Sequence, residues 1–440
     1  MNGYQDIANA ILARIHSGEL RPGAQLLPVR AQAQAAGVAL ATAVRAYAWL
    51  EQQGLVVAER GRGTFVRDQG ACRNDALVQT AGATPAIDLS FNSPTVAGQE
   101  EMLRQGLRNL ASAGDIASLL GSVPQGGTLH QRALAARFLQ QRGLTLDAAQ
   151  VLLVNGAQHG ITVALAACCQ PGDAIAVDAL TYPGLRAAAQ AQRIDLLTVP
   201  LDAAGGPDLA ALERLCARAR VRAYYCMPTI HNPLGWVMPL AQRQALVQIA
   251  RRCGLTLIED AAYAFLADPA PPPLYALAPD CTIYVSSLSK SVAAGMRIGF
   301  VVAPAGMSDA LARQIRVSIW NPSSVAMALA CQWMESGEIL ALEQAKRHDA
   351  RQRQTLARAV LEGCAIRAHP AAYFIWLELA DSLRAEETAA RLARQGVTVT
   401  TAAAFAVGPQ RPQALRLALG SVPLASLRAA LEQVRREVLW

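Results

Sequence analysis

From residue 87 onward the chain alternates short apolar runs with helical stretches, and few folds accommodate that alternation. Residues 151–154, 174–177, 223–227, 255–258, 282–285 and 299–302 are too short for helices and show little polar alternation. Each reads as a strand buried on both faces. Helical stretches such as 160–167 and 243–252 lie between them. Strands that alternate with helices imply an α/β domain around a largely parallel sheet, with its ligand at the carboxyl ends of the strands. The pattern continues to the C-terminus without a clear break, and no repeat of 20–50 residues interrupts it.

The first 67 residues follow a different pattern. Ile7, Ile11 and Ile15 recur at helical spacing and stop at Ser17-Gly18. Leu26-Leu27-Pro28-Val29-Arg30 opens a second helix that runs to Gly37, and a third spans 41–53 with Val44, Tyr47, Ala48 and Leu50 as its inner face. Two β-type runs, 55–57 and 64–66, flank Glu59-Arg60-Gly61-Arg62-Gly63. Three helices and a glycine-tipped hairpin make a winged helix-turn-helix. Residues 68–86 collect small and polar side chains without periodicity and read as a linker, which leaves 87–440 as the large domain.

Composition narrows the setting. At 440 residues, two or three domains are expected. No apolar run reaches the length of a membrane span, and the start of the chain lacks the basic and apolar regions of a signal peptide. The nine cysteines are odd in number and scattered without metal-ligand spacing, so a reducing cytoplasm is expected and no metal is. A net charge of +7 does not by itself specify a nucleic-acid partner in so arginine-rich a chain.

The N-terminal segment resembles the GntR-family DNA-binding domain. Gly18-x-Leu20-x-Pro22-Gly23, Arg30, Gly37-Val38, Thr42-x-Val44-x-x-Ala46-Tyr47, Leu50-Glu51-x-x-Gly54-Leu55 and Gly61-x-Gly63-Thr64-Phe65-Val66 carry the likeness in order. The family usually has Ser-Arg before the threonine of its recognition helix, and this chain has Ala39-Leu40. A capping hydroxyl and a reading arginine are therefore missing. Arg30, Thr42, Arg45 and Arg62 are the expected DNA-binding residues; the alternative for each arginine is a solvated surface position.

Only two of the 40 basic residues are lysines, Lys290 and Lys346. Arginine serves as well or better in salt bridges and phosphate contacts, but it has no primary amine with which to form a Schiff base. Lys290 sits in Ser-Leu-Ser-Lys-Ser, one short loop before Arg297, a setting suited to an aldehyde cofactor that carries a phosphate. Lys346, in Gln-Ala-Lys-Arg-His, reads as a solvated helix position. The other strand ends lead to Asn155-Gly156-Ala157-Gln158, Thr181-Tyr182-Pro183-Gly184, His231-Asn232-Pro233 and Glu259-Asp260-Ala261-Ala262-Tyr263. Taken singly, the first is also an ordinary strand-to-helix turn and Tyr182 an ordinary core aromatic.

In that order and spacing, these motifs resemble the fold-type-I aminotransferases. The resemblance implies a pyridoxal 5'-phosphate (PLP) domain with a small C-terminal α/β subdomain. By position it implies Lys290 as the Schiff-base lysine and Asp260 as partner of the pyridine nitrogen. Asn232 and Tyr263 would bond the ring's phenolic oxygen, and Tyr182 would stack on the ring. Ala157, Gln158, Ser287, Ser289 and Arg297 would hold the phosphate, and Arg416 the carboxylate of an amino-acid ligand. Where the family has a tyrosine that reaches the partner's cofactor, this chain has Ser122.

A winged helix joined to such a domain is similar to the MocR-type regulators. That implies a homodimer on operator DNA that responds to PLP itself or to an amino compound, with each winged helix on the partner's large domain. The short linker implies closely spaced half-sites. The rival reading is a working aminotransferase with an accessory DNA-binding domain.

Overall fold

The computed structural model describes residues 3–16, 19–20, 23–52, 55–59, 62–66, 87–112, 116–202, 205–408 and 411–439. The expected linker, 68–86, lies outside them.

At the N-terminus, helices α1 (Gly3–His16), α2 (Val29–Ala35) and α3 (Leu40–Gln52) pack around Ile7, Ile11, Ala33, Tyr47 and Leu50. Strands β1 (Val56–Glu59) and β2 (Gly63–Val66) pair antiparallel, with Val56 opposite Val66. The inner face of α3 differs from the expected one. Ala43, Ala46, Tyr47 and Leu50 are buried, whereas Val44 is 50% exposed and Ala48 also faces out. The spacing 43, 46, 47, 50 is the true apolar stripe, and its alanines let α3 lie close to α1 and α2.

The large domain contains a seven-stranded sheet. In chain order its strands are β4 (Val151–Val154), β5 (Ala174–Asp178), β6 (Asp195–Val199), β7 (Val221–Cys226), β8 (Thr256–Asp260), β9 (Thr282–Ser287) and β10 (Gly299–Val302). Their spatial order is β4-β10-β9-β8-β7-β5-β6. Every pairing is parallel except those of β10, which runs antiparallel to both neighbours. Only residues 288–298 separate β9 from β10, too few for a right-handed crossover helix, so the chain turns straight back. Strand β6 was not legible as a strand: it lies at the sheet edge, and Asp195 at its start is exposed.

One apolar core covers one face of this sheet and two share the other, and every residue of β4 and β10 is buried. A further core belongs to a small C-terminal layer. There β11 (Ile366–Arg367), β12 (Phe374–Glu378), β14 (Thr400–Thr401) and β15 (Ala414–Ala418) form an antiparallel sheet. Its helices are Ala385–Arg394 and Leu424–Leu439. Strand β3 (Ile87–Asp88) pairs with β13 (Val397–Thr398), so the segment that opens the large domain is tied to its last layer. This brings residues 90–92 beside the carboxyl ends of the main strands.

Candidate functional site

Lys290 lies on a one-turn helix, α4 (Leu288–Ser291), directly after β9. Its amine sits 4.5 Å from the centre of the Phe91 ring and 5.9 Å from that of Tyr263, and it donates to the Asn92 carbonyl. Burial pushes its pKa down to about 7, and Arg416, Lys346 and Arg297 add like-charge repulsion. Near neutral pH a large fraction is therefore the free amine, the form that attacks an aldehyde.

Asp260 ends β8 and is buried. Tyr225, on the adjacent β7, donates its hydroxyl to one carboxylate oxygen at 2.6 Å, and the Ala262 N–H donates to the other at 2.9 Å. Burial raises the Asp260 pKa, and these two bonds draw it partly back. The site thus holds a carboxylate supported by two donors, suited to a cationic ring nitrogen.

The opposite rim is an anion cradle. Helix α5 (Gly156–Cys168) begins at Gly156, whose φ is +77°. A Cβ there would lie 2.8 Å from an Arg297 Nη atom. Arg297, itself left-handed at φ +49°, donates to Ser289 Oγ at 3.3 Å and to the Asn155 carbonyl at 3.1 Å. The Gln158 side chain donates to the Gly184 carbonyl at 2.8 Å, and a Cβ on Gly184 would come within 2.0 Å of Gln158 Oε1. A helix N-terminus, two serine hydroxyls and a guanidinium at one edge suit a phosphate.

Ala157, Gln158, Tyr182, Asn232, Asp260, Tyr263, Ser287, Ser289, Lys290 and Arg297 all line one cavity, and Arg416 lines it too. Arg416, on β15, donates to the Ser90 carbonyl at 2.5 Å and lies 5.4 Å from the centre of the Phe405 ring. Among the described residues, Asn232 Oδ1, Gln158 Oε1 and Arg416 Nε are buried without a hydrogen-bond partner. Orphaned polar atoms in a cavity of this chemistry fit a polar ligand that carries both donors and acceptors.

Several participants were not identified from the sequence. Phe91 and Asn92 arrive from almost 200 residues before Lys290, with no local signal. Tyr225 had one faint signal, a phenol inside an otherwise buried strand. Lys346 corrects an expectation: it is fully buried rather than solvated, because its helix, α6 (Glu338–Val360), crosses directly behind Lys290. Ser122 is exposed and accepts from Trp320 Nε1 at 3.1 Å.

Among the expected DNA-binding residues, Arg30 and Arg45 are exposed and Thr42 is half-buried at the start of α3. Arg45 also lies over the Tyr4 ring, 4.9 Å from its centre. Arg62 instead donates to the Asp381 carbonyl, while Arg384 lies over the Phe65 ring at 4.8 Å. The wing therefore rests on the small C-terminal layer of its own chain.

Residues 3–66 match the model of the gntR family of bacterial regulatory proteins, and residues 84–434 match aminotransferase class I and II. Both matches fall in one chain, in the order of the two folds described. The chain belongs to the MocR-type regulators. Among its relatives is the HTH-type transcriptional regulator YdeF of Bacillus subtilis, 29% identical over 93% of this chain and 88% of the relative. The HTH-type pyridoxine biosynthesis transcriptional regulator PdxR of Corynebacterium glutamicum is 26% identical over 78% of this chain and 75% of its own length. In fold, an archaeal alanine:glyoxylate aminotransferase superposes with a TM-score of 0.76 at 20% identity, covering 84% of this chain and 95% of the enzyme. This MocR-type protein is a DNA-binding transcriptional regulator, and its large domain takes PLP as cofactor.

Proposed function

We propose that this regulator reads PLP, or an amino compound presented to it, through Lys290 and passes the result to paired winged helices. The observation that carries this reading is the meeting of a reactive-range lysine, a supported carboxylate and an anion cradle in one cavity of a chain that also holds a DNA-binding module. When bound, PLP supplies an aldehyde carbon and an electron-withdrawing ring. Arg297, Ser287, Ser289, Ala157 and Gln158 would hold its phosphate. Asp260 would pair with its ring nitrogen, Asn232 and Tyr263 would bond its phenolic oxygen, and Tyr182 would pack on the ring. Lys290 presents the free amine, and Arg416 would fork onto a ligand carboxylate.

A homodimer is part of the proposal. Leu120 is 90% exposed, Leu129 70%, Val317 82% and Trp320 50%. The Trp320–Ser122 bond and the Asn321–Val123 bond, 2.5 Å, bring the segments that carry Leu120 and Trp320 together. Large apolar side chains this exposed suit a partner, and a second copy supplies the two winged helices that paired half-sites need. On the DNA side, Leu40 and Val44 stand out from α3 beside Arg45, suited to thymine methyls next to a phosphate contact. A chain that works on DNA is placed in the cytoplasm.

The test is binding to the DNA upstream of the regulator's own coding region, at fixed salt, by apo protein, PLP-loaded protein and Lys290→Ala. A change in affinity or footprint on adding PLP, absent in Lys290→Ala, is expected. Identical binding by all three rules out PLP alone as the signal and turns the search to amino compounds. The second reading, a working aminotransferase, is favoured by Arg416 in the lining of a nearly complete site. It requires steady turnover of an amino donor with a 2-oxo acid.

A further inference from the structure

The second lysine has no surface role. Lys346 is fully buried, and its amine donates to two backbone carbonyls, that of Lys290 at 3.2 Å and that of Val292 at 2.5 Å. Helix α4 is a single turn, so its last carbonyls find no partners further along the helix. Gln99 shares the Val292 carbonyl from the other side at 2.7 Å. Meanwhile the hydroxyl of Tyr373 lies 2.8 Å from the Lys346 carbonyl and 2.9 Å from the Asp349 carboxylate, and shares its one proton between them.

Residue type matters here. An ammonium is a compact donor on a flexible stem and can point into a dry space between two carbonyls of one turn. A guanidinium is planar, carries five N–H groups and would leave several of them unmet. In a chain that uses arginine for nearly every other cation, retention of lysine at 346 calls for such a reason.

We infer that Lys346 is a positioning residue: its ammonium clamps the turn that carries Lys290 and so fixes where the reactive amine points. This rests on the reading of Lys290 as the PLP-reactive residue. The clamp also places a like charge behind that amine. Facing Lys346 are Glu343 and Asp349 on its own helix; Glu343 pairs with Arg142, and Asp349 with Arg353. Facing Lys290 are Arg416, Arg297 and Tyr263. Burial lowers the Lys346 pKa to about 8, with Glu343 and Asp349 opposing the shift. The two amines therefore titrate close together and sense one another.

Because the chain has two lysines, protein grown on [ε-13C]lysine gives two lysine side-chain NMR signals, assigned with Lys290→Ala and Lys346→Met. In the full-length apo protein, Lys346→Met should move the Lys290 titration to higher pH. It should also slow PLP capture at pH 7 on the order of tenfold, the scale of one lost charge-assisted hydrogen bond. Lys346→Arg keeps the charge but does not fit between the two carbonyls, so PLP capture at pH 7 should slow there too, a measurement that stands even if Lys346→Met fails to fold. A purely structural role would lower the melting temperature and leave the Lys290 titration in place. An unmoved Lys290 titration in folded Lys346→Met, or PLP capture at the wild-type rate in Lys346→Arg, overturns the clamp. Borohydride trapping of added PLP followed by peptide mapping tests the underlying reading separately. Capture at Lys290 upholds it, and capture at Lys346 overturns both.

Discussion

Replacing Tyr225 by phenylalanine removes one oxygen from the core and leaves the ring's packing in place, because Tyr225 is fully buried on β7. What disappears is a 2.6 Å hydrogen bond to the Asp260 carboxylate. A bond to a charged group in such a setting is worth about 1.5–3 kcal/mol. If Asp260 pairs with the ring nitrogen of PLP, that is roughly a 10- to 150-fold loss of PLP affinity. The bond favours the ionised carboxylate, and burial already raises the Asp260 pKa. Its loss raises the pKa further, so the affinity penalty should be largest at low pH and shrink as pH rises. The assay is a spectrophotometric PLP titration of apo protein across pH, for Tyr225→Phe, Asp260→Asn and the double variant. Tyr225 acts through Asp260, so its penalty should fall below about twofold in the Asp260→Asn background. An equal penalty in both backgrounds, or none in the single variant, refutes the reasoning.

Other perturbations have equally definite outcomes. Gly156→Ala forces a left-handed backbone, at about 1–2 kcal/mol, and drives a Cβ into Arg297; inorganic phosphate should then compete less well for the PLP site, read by displacement titration. Glu259, beneath the site, has its pKa raised to about 7 by burial. A raised carboxyl pKa costs stability as pH climbs from about 4.5 through 7, up to about 3 kcal/mol. Glu259→Gln should therefore gain melting temperature over wild type between pH 5 and pH 8, and a pH-independent difference would refute that origin. Leu120→Glu combined with Val317→Glu should yield monomers in sedimentation velocity; a persisting dimer moves the interface elsewhere.

Legibility in the sequence followed the range of the interactions. The strands of the main sheet were readable because both their faces are dry, which leaves unbroken apolar runs. The site loops were readable because each strand end carries its own small or polar signature. The edge strand β6 gave no such run, since solvent tolerates Asp195 there. The face of α3 was misassigned by one position because alanines can face either way in a pattern of apolar residues, and only the packing partner decides.

The sequence by itself determined the two modules, the order of the site motifs and the exceptional standing of Lys290. Those properties are local: periodicity, turn chemistry and residue type. Tertiary structure alone decided that Phe91 and Asn92 meet Lys290, that Tyr225 supports Asp260, and that the wing sits on the small C-terminal layer. It also moved Lys346 from an apparently solvated helix to the dry space behind the reactive lysine. Such contacts join residues tens to hundreds of positions apart. They depend on how whole elements pack, and no window of sequence records that.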